Sequence, residues 1–406
     1  MFYRFLLFGA LLHFAAYGQS ALQLRRQADA LKTKGDAAGA LEWMLKAGAA
    51  DPKSAEIEDE IGFLLAVVNR SAEARPHFAR AIELQPSYAA AHFHGGVLFW
   101  LEKDPDRAIP LLQEAVRLAP KMADYRLKLG VSFFEVAHFD ESISELSVAT
   151  RLEPRNAAAW AALGGSLQQA GKLKEAREAF SKAVELNPLD VASRNAYGFL
   201  MVQFREPDKA IAQFRKVLEL DQRNAGAMIN LGFTYIQLGD FRKAEEEFRS
   251  AIAIEPNSPV AHYNLGLSMK QQDNLEGARK EFEEAIRLDN ELPEAHYSLG
   301  MTVWQLGEFE ETARQMRAAI AQKAAYGEAH YLLGSALKQK GDLDGALTAL
   351  REASRLLPGD PGPFNMLGQV LRMKGDLEGS KQAFEDGARI KKKKEAEQAE
   401  TLRRKK

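Results

Sequence analysis

The chain has 406 residues, of which 46% are hydrophobic and 27% are charged, a composition typical of a folded soluble protein with material for a continuous core. Its formal net charge of −2 at pH 7 argues against a nucleic-acid-binding protein. The absence of cysteine excludes disulfides and a lipid-modified N-terminal cysteine, and it is compatible with export without requiring it.

The first eighteen residues have the layout of a secretory signal sequence. Arg4 supplies a short positive start, and an apolar run follows from Phe5 to Ala16. The small residues Ala16 and Gly18 stand at the positions that a signal peptidase reads, so cleavage after Gly18 is predicted. The alternative is an uncleaved membrane anchor, although the run is short for spanning a bilayer. We therefore expect an exported protein of the periplasm or cell envelope, with no transmembrane segment after signal removal.

A 34-residue period runs from residue 21 to residue 394. Prolines recur at this interval, and so do glycines, which occupy ten successive positions although only 30 of the 406 residues are glycine. The prolines are Pro52, Pro86, Pro120, Pro154 and Pro188; the glycines are Gly62, Gly96, Gly130, Gly164, Gly198, Gly232, Gly266, Gly300, Gly334 and Gly368. Such a period indicates one supersecondary unit stacked many times. Eleven units are predicted: 21–54, 55–88, 89–122, 123–156, 157–190, 191–224, 225–258, 259–292, 293–326, 327–360 and 361–394.

Each unit reads as two helices joined by a tight turn. In the fifth unit, Trp160, Leu163, Gly164 and Leu167 form one helical stripe, and Gly171 breaks that helix. A second stripe of Ala176, Phe180 and Ala183 precedes Pro188. The turn position holds glycine in six units and Asn69, Lys103, Ala137, Arg205 or Asp273 in the other five, so those five turns are expected to be less favourable.

This order of residues resembles the tetratricopeptide repeat (TPR) family, with Leu167 where the family has tyrosine. The resemblance implies an all-α, right-handed superhelical solenoid of antiparallel helix hairpins. It also implies a concave groove, lined by the first helices, that holds ligands such as extended peptides. The spacing of 34 residues stays constant along the chain, so there is no room for the long loops on which an active site could be built.

No residue pattern indicates an enzyme, a cofactor or a metal site. Four histidines, His92, His262, His296 and His330, occupy the position of Trp160 in their units. They lie one repeat apart, too far to share a metal ion, and are predicted to pack between helices.

The first helices carry a recurrent set of tyrosine, amide and aromatic residues on the face predicted to line the groove. We call this set the tyrosine–amide ladder. Tyrosine offers contact area with a polar group, and amides can pair with a ligand's backbone. The alternative is residue sharing inherited through repeat duplication. The ladder comprises Tyr263, Tyr297, Tyr331, Gln203, Gln237, Gln271, Gln305, Gln339, Asn195, Asn230, Asn264, Phe199, Phe233 and Trp304.

A second, more apolar patch is predicted earlier in the chain, at Phe93, Val97, Trp100, Val131 and Phe134. It would serve as a hydrophobic pocket or a dimer contact, or its residues would simply pack against second helices. After the repeats, residues 391–406 hold eight basic and three acidic residues and are predicted to form a basic capping helix or tail, with attachment to anionic polymers as the alternative.

The resulting prediction is a non-catalytic scaffold that holds a protein or peptide partner of unknown identity in its groove. Two alternatives remain: a self-associating element of a larger assembly that uses the apolar patch, and a glycan-binding groove related to export of envelope polysaccharide.

Overall fold

The computed structural model describes the backbone of residues 20–404 and the side chains as far as residue 400. The predicted signal sequence at 1–18 and the last two residues of the basic tail lie outside this range. Within it, every regular element is an α-helix. The all-α architecture expected from the repeat is therefore confirmed.

The helices alternate along the chain between a first and a second member of each hairpin. The first helices are α1 (Ala21–Lys32), α3 (Ala55–Val67), α5 (Ala89–Leu101), α7 (Ala123–Glu135), α9 (Ala157–Gln169), α11 (Val191–Gln203), α13 (Ala225–Leu238), α15 (Pro259–Gln271), α17 (Pro293–Gln305), α19 (Gly327–Gln339) and α21 (Pro361–Met373). The second helices are α2 (Ala37–Ala50), α4 (Ser71–Leu84), α6 (Pro105–Leu118), α8 (Phe139–Leu152), α10 (Leu173–Leu186), α12 (Pro207–Leu220), α14 (Phe241–Ile254), α16 (Leu275–Leu288), α18 (Phe309–Gln322), α20 (Leu343–Leu356) and α22 (Leu377–Arg404).

The chain divides into two compact units, one ending at Tyr197 and the other beginning at Gly198. Inside each unit, a second helix packs against its own first helix and against the first helix of the next repeat, as α18 packs on α17 and α19. The last helix, α22, continues without interruption to Arg404, so the described part of the basic tail extends the final second helix. Between residues 20 and 404, no helix is both long and apolar enough to cross a bilayer.

The turn between the two helices of a hairpin requires a left-handed backbone. The six turn glycines have φ between 73° and 85°, as at Gly171 and Gly375. The five other turn residues adopt the same conformation, with φ of 57° to 61°: Asn69, Lys103, Ala137, Arg205 and Asp273. Because a side chain in this region carries a steric penalty that glycine avoids, we expect these five turns to be less favourable.

The periodic helix glycines make room for a large side chain of the second helix. A Cβ on Gly266 would lie 2.7 Å from the ring of Phe282, and one on Gly198 would lie 2.7 Å from the ring of Phe214. In the repeats of Gly96, Gly130 and Gly334, the backbone carbonyl of the small second-helix residue also lies 3.2–3.3 Å from such a Cβ, so a large and a small residue both approach the glycine.

The position of Trp160 has a consistent structural role across repeats. Trp160 donates its indole N–H to the carbonyl of Pro154 at 3.0 Å, and Arg126 donates to the carbonyl of Pro120 at 2.8 Å. His330 Nε2 lies 3.1 Å from the carbonyl of Ala324, where the periodic proline is missing. The second helix still ends two residues before that position, at Gln322. This side-chain hydrogen bond therefore anchors the inter-repeat turn with or without proline.

Candidate binding site

The three ladder tyrosines all lie in the compact unit that begins at Gly198, and their side chains reach toward the next first helix. Ser298 donates a long hydrogen bond of 3.5 Å to the hydroxyl oxygen of Tyr263. The rings of Tyr297 and Tyr326 lie 5.0 Å apart, and a Cβ on Gly362 would lie 3.4 Å from the Tyr331 hydroxyl. All three ladder tyrosines are half-buried. They therefore join neighbouring repeats while leaving part of each ring on the surface.

Carboxylates surround this group of tyrosines. Burial raises the pKa of Tyr326 well above its usual range, and nearby Tyr297 and the carboxylate of Glu294 add to the effect. Burial and the carboxylate of Glu328 likewise raise the pKa of Tyr297. We call Tyr263, Tyr297, Tyr326, Glu294 and Glu328 the tyrosine–carboxylate cluster. Glu294 and Glu328 thus place negative charge close to these tyrosines.

A lysine of the chain itself already lies at this cluster. Lys323 Nζ lies 4.6 Å from the centre of the Tyr326 ring and 3.8 Å from a carboxylate oxygen of Glu294. Its side chain is about half exposed. An ammonium group over an aromatic face and beside a carboxylate is a favourable arrangement, so the cluster has the chemistry to hold a cation.

The ladder glutamines form a separate row at the other end of the first helices. Gln203, Gln271, Gln305 and Gln339 are the last residues of their helices, and Gln237 is the penultimate residue of α13. The separation from Tyr263 to Gln271 is about 12 Å along the helix axis, from a rise of 1.5 Å per residue. All five glutamines are exposed. The structure thus resolves the predicted ladder into a tyrosine row and a glutamine row.

The remaining ladder residues are less available to a ligand. Asn264 donates its amide to the carbonyl of Val260 in its own helix at 2.8 Å. Trp304 packs on Phe309 with ring centres 5.0 Å apart. Phe233 is 37% exposed, whereas Phe199, Asn195 and Asn230 are half-buried. Asn195 lies in the first unit and the other ladder residues lie in the second.

The predicted apolar patch lies in the compact unit that ends at Tyr197, and most of its residues pack against other side chains. Phe93 stacks on Tyr125 with ring centres 4.2 Å apart, and Phe93 and Val97 pack against a core cluster that includes Leu129. Phe134 packs on Phe139 at 5.8 Å.

Trp100, in the same patch, is covered by Lys128, whose Nζ lies 3.6 Å from the ring centre. Burial lowers the pKa of Lys128. Val131 is half-buried like the other four residues of the patch. Each patch residue therefore spends part of its surface in packing between helices and keeps the remainder exposed.

A polar cavity near the start of the first unit was missed by the sequence analysis. It has a volume of about 280 Å³ and is lined by Arg25, Glu56, Asp59, Tyr88 and His94, among others. Asp59 is only 3% exposed and lies 2.9 Å from His94 Nδ1 in the next repeat. Asp59 occupies the same repeat position as Tyr263. A carboxylate at a position that holds no acidic residue in any other repeat was the signal available in the sequence.

The histidines at the position of Trp160 are structural. His92 Nε2 lies 2.9 Å from the carbonyl of Pro86, and His262 Nε2 lies 3.0 Å from that of Pro256. His296 Nδ1 lies 2.6 Å from Gln315 Oε1. Across residues 20–404, no three side chains of His, Cys, Asp or Glu come together in a group that could hold a metal ion.

Sequence profiles of the TPR family match overlapping stretches of the chain. The profile of the cytochrome c-type biogenesis protein H TPR domain matches residues 142–261. General tetratricopeptide repeat profiles match residues 64–123, 99–167, 270–307 and 297–361. With the hairpin architecture described above, these matches show that the chain belongs to the tetratricopeptide repeat family.

Solved structures of similar fold include the APC/C hetero-tetramer Cut9–Hcn1, which aligns with 86% of this chain and 76% of its own at 15% identity and a TM-score of 0.50. YrrB, described as a TPR protein with an unusual peptide-binding site, is 27% identical over 45% of this chain and 95% of its own, with a TM-score of 0.42. PilF of Pseudomonas aeruginosa is 22% identical over 52% of this chain and 97% of its own, with a TM-score of 0.48. A comparison with curated protein sequences found no match.

Proposed function

We propose that this protein is a non-catalytic scaffold that binds an extended segment of a partner protein across the first helices α15, α17 and α19. We further propose that it favours segments carrying a lysine or arginine side chain. The observation that carries this proposal is the tyrosine–carboxylate cluster, in which Lys323 already lies against Tyr326 and Glu294.

The cluster would receive the basic side chain of the ligand. Tyr326 and Tyr297 provide aromatic faces, and Glu294 and Glu328 provide negative charge beside them. A ligand ammonium or guanidinium would displace Lys323, whose half-exposed side chain is free to turn into solvent. Contacts of this kind contribute about 0.5–1 kcal/mol at exposed sites.

The glutamine row would hold the backbone of the same segment. Gln271, Gln305 and Gln339 are exposed, and none of their side-chain amides forms a hydrogen bond with the residues that the structure describes. A side-chain amide offers both donors and an acceptor, which suits an extended peptide backbone. The helix hairpins keep these groups in position before the ligand arrives, so fewer groups must be ordered on binding.

We also propose that the protein acts outside the cytoplasm, on the basis of the charge and apolar pattern of its first eighteen residues. Mass spectrometry of the protein purified from its native host would test this. A mature chain beginning at Gln19 in an envelope fraction is expected. A chain with an intact N-terminus in the cytoplasmic fraction would contradict it.

The peptide preference can be tested with a display library of unstructured peptides selected on the full chain. Lysine and arginine should be enriched on the wild type, and this enrichment should be lost on Glu294→Gln/Glu328→Gln. The control is Glu276→Gln/Glu378→Gln, which removes two exposed carboxylates from the first turns of α16 and α22. Replacing the tyrosines by alanine would be a poor test, because they also hold repeats together.

Lys323 provides a second and opposite test. Lys323→Gln removes the internal competitor, so peptides selected on the wild type should bind this variant about threefold more tightly, as a contact of roughly 0.7 kcal/mol implies. Weaker binding to the variant would contradict the proposed cation site. Enrichment of neutral peptides alone would contradict the preference for basic side chains. Saturable binding of a neutral oligosaccharide at the same residues would favour the glycan-binding alternative.

A further inference from the structure

A polar pair links the two helices of several repeats at matching positions. His262 Nδ1 lies 2.7 Å from Glu281 Oε2, and His296 Nδ1 lies 2.6 Å from Gln315 Oε1. Arg126 donates to Glu145 Oε2 at 2.5 Å in the first unit of the structure. In each case the second residue follows the first by nineteen positions, so the pair is a recurrent feature of the hairpin.

Two repeats have the histidine without a polar second residue: 89–122, where the bulky Leu111 stands nineteen positions after His92, and 327–360. His330 Nε2 contacts the carbonyl of Ala324, but the residue nineteen positions later is Ala349. His330 Nδ1 has no hydrogen-bond partner among residues 20–404. In the other repeats with alanine at that place, the first-helix residue is a large aromatic, Trp160 or Phe364.

A groove of about 940 Å³ opens at this point between α18, α19 and α20. Ile320, Leu333 and Leu337 provide an apolar floor. Ala321, Gly345 and Ala349 are small, so the backbone of another helix could approach closely. None of the residues lining this groove belongs to the tyrosine–amide ladder or to the tyrosine–carboxylate cluster.

The rim of the groove is basic. Arg317, Arg351 and Arg355 all line it, together with a single carboxylate, that of Glu352. Arg355 is committed to Glu352, with its Nε 2.9 Å from Glu352 Oε2. Arg317 and Arg351 form no ion pair within the described part of the chain. Two uncommitted guanidinium groups and a free imidazole nitrogen therefore surround an apolar floor, an arrangement complementary to a carboxylate on an apolar body.

We propose that this groove is a second binding site, which takes an acidic amphipathic helix of a partner protein. Apolar side chains of that helix pack on half-buried Ile320 and exposed Ala321, above the buried Leu333 and Leu337. One of its glutamates or aspartates contacts His330 Nδ1, in the place that Glu281 occupies beside His262. Further acidic side chains pair with Arg317 and Arg351. A helix fits because three helices, α18, α19 and α20, line the groove, and the small residues permit close helix packing.

The test uses the full chain and a pair of labelled helical peptides. One peptide is made of leucine, alanine and glutamate, the other of leucine, alanine and glutamine, and in each the leucines and the polar residues lie on the same face. The glutamate peptide should bind about tenfold more tightly than the glutamine peptide, as one or two charge-assisted hydrogen bonds would produce. Ala349→Glu should abolish this binding, because its own carboxylate would bond to His330 and its side chain would fill the groove.

A second variant keeps the test informative if Ala349→Glu folds poorly. Arg317→Gln/Arg351→Gln should weaken binding of the glutamate peptide about tenfold, whereas the control Arg223→Gln/Arg242→Gln, which removes two exposed arginines of the same unit, should leave it unchanged. The imidazole NMR signals of His330 should shift on titration with the glutamate peptide.

Equal affinity for both peptides, no binding of either, or binding that Ala349→Glu and Arg317→Gln/Arg351→Gln leave intact would overturn the proposal. Binding of dodecanoate at His330 without binding of the peptide would also overturn the proposal, and it would identify a lipid site. Concentration-dependent dimerisation that Ala349→Glu removes, without peptide binding, would assign the groove to a second copy of this chain. Glu294→Gln/Glu328→Gln should not affect the glutamate peptide, so this proposal and the proposed function fail independently.

Discussion

The ring of Phe248 lies so close to Gly232 that a Cβ on the glycine would be 2.7 Å from ring carbon Cε1. The same relationship joins Gly266 to Phe282 in the next repeat. Phe248 and Phe282 are completely buried. Glycine is therefore retained in the middle of these first helices because the phenylalanine of the second helix fills the space.

Gly232→Ala is expected to destabilise the protein by about 1–3 kcal/mol, because overpacking outweighs the roughly 1 kcal/mol gain in helix propensity. Chemical denaturation followed by circular dichroism would measure this. Gly226→Ala is the matched control, since it lies in the first turn of the same helix and its Cβ would meet only Asn224 Oδ1 at 3.5 Å. That control should be neutral or stabilising. Equal effects at both positions would contradict the packing explanation.

Ala137→Gly should stabilise the protein by about 1 kcal/mol. Ala137 has φ of 60° in an exposed turn, where glycine carries no steric penalty, although its greater freedom in the unfolded chain offsets part of the gain. Asn69→Gly should give a smaller gain, because asparagine tolerates this backbone region better. Thermal unfolding of the two variants would compare them. A loss of stability in Ala137→Gly would show that the turn conformation is not the limiting feature.

His94→Ala should cost about 1–3 kcal/mol, because it leaves the carboxylate of Asp59 buried without its hydrogen-bond partner. Asp59→Ala/His94→Ala should be less destabilised than the sum of the single variants, which a double-mutant cycle measures. The exposed pair His138 and Glu141, 3.8 Å apart, is the control and should show coupling below about 0.5 kcal/mol. Equal coupling for both pairs would contradict the role of burial.

Tyr88 should make stability depend on alkaline pH. Burial, together with the carboxylates of Asp59 and Glu56, raises the pKa of Tyr88 to about 12, from about 10 in the unfolded chain. The folded state thus holds the phenolic proton where the unfolded state has lost it. The resulting stabilisation is present below pH 10 and is lost as pH rises towards 12. Tyr88→Phe should show a shallower fall of stability in this window, and an unchanged slope would contradict the assignment.

Much of the architecture could be predicted from residues that are close in sequence. The turn glycines and the five residues that replace them adopt the same left-handed backbone. The need for a left-handed backbone arises within a few residues of the turn, so it can be predicted from the position of a residue in the repeat. The histidines at the position of Trp160 were also predicted to pack, and their contacts with the turn carbonyls, as between His262 and Pro256, show how.

The candidate sites depended on contacts that the repeat pattern does not encode. Tyr263 and Gln271 belonged to one predicted ladder, but Gln271 lies about two turns further along α15, at its C-terminal end. Lys323 reaches Glu294 from the end of α18, the second helix of the same hairpin, a contact that the pattern did not show. Phe93 and Tyr125 stack between repeats, so residues predicted as a surface patch are part of the packing.

By itself, the sequence determined the period, the helix hairpins, their turns and the all-α class, because backbone preferences and close helix crossings recur within each 34-residue unit. Only the tertiary structure decided which side chains meet between repeats, such as Asp59 with His94, and which meet across one hairpin, such as His262 with Glu281. These outcomes depend on rotamers, burial and the neighbours of each helix, which differ from repeat to repeat while the period stays the same.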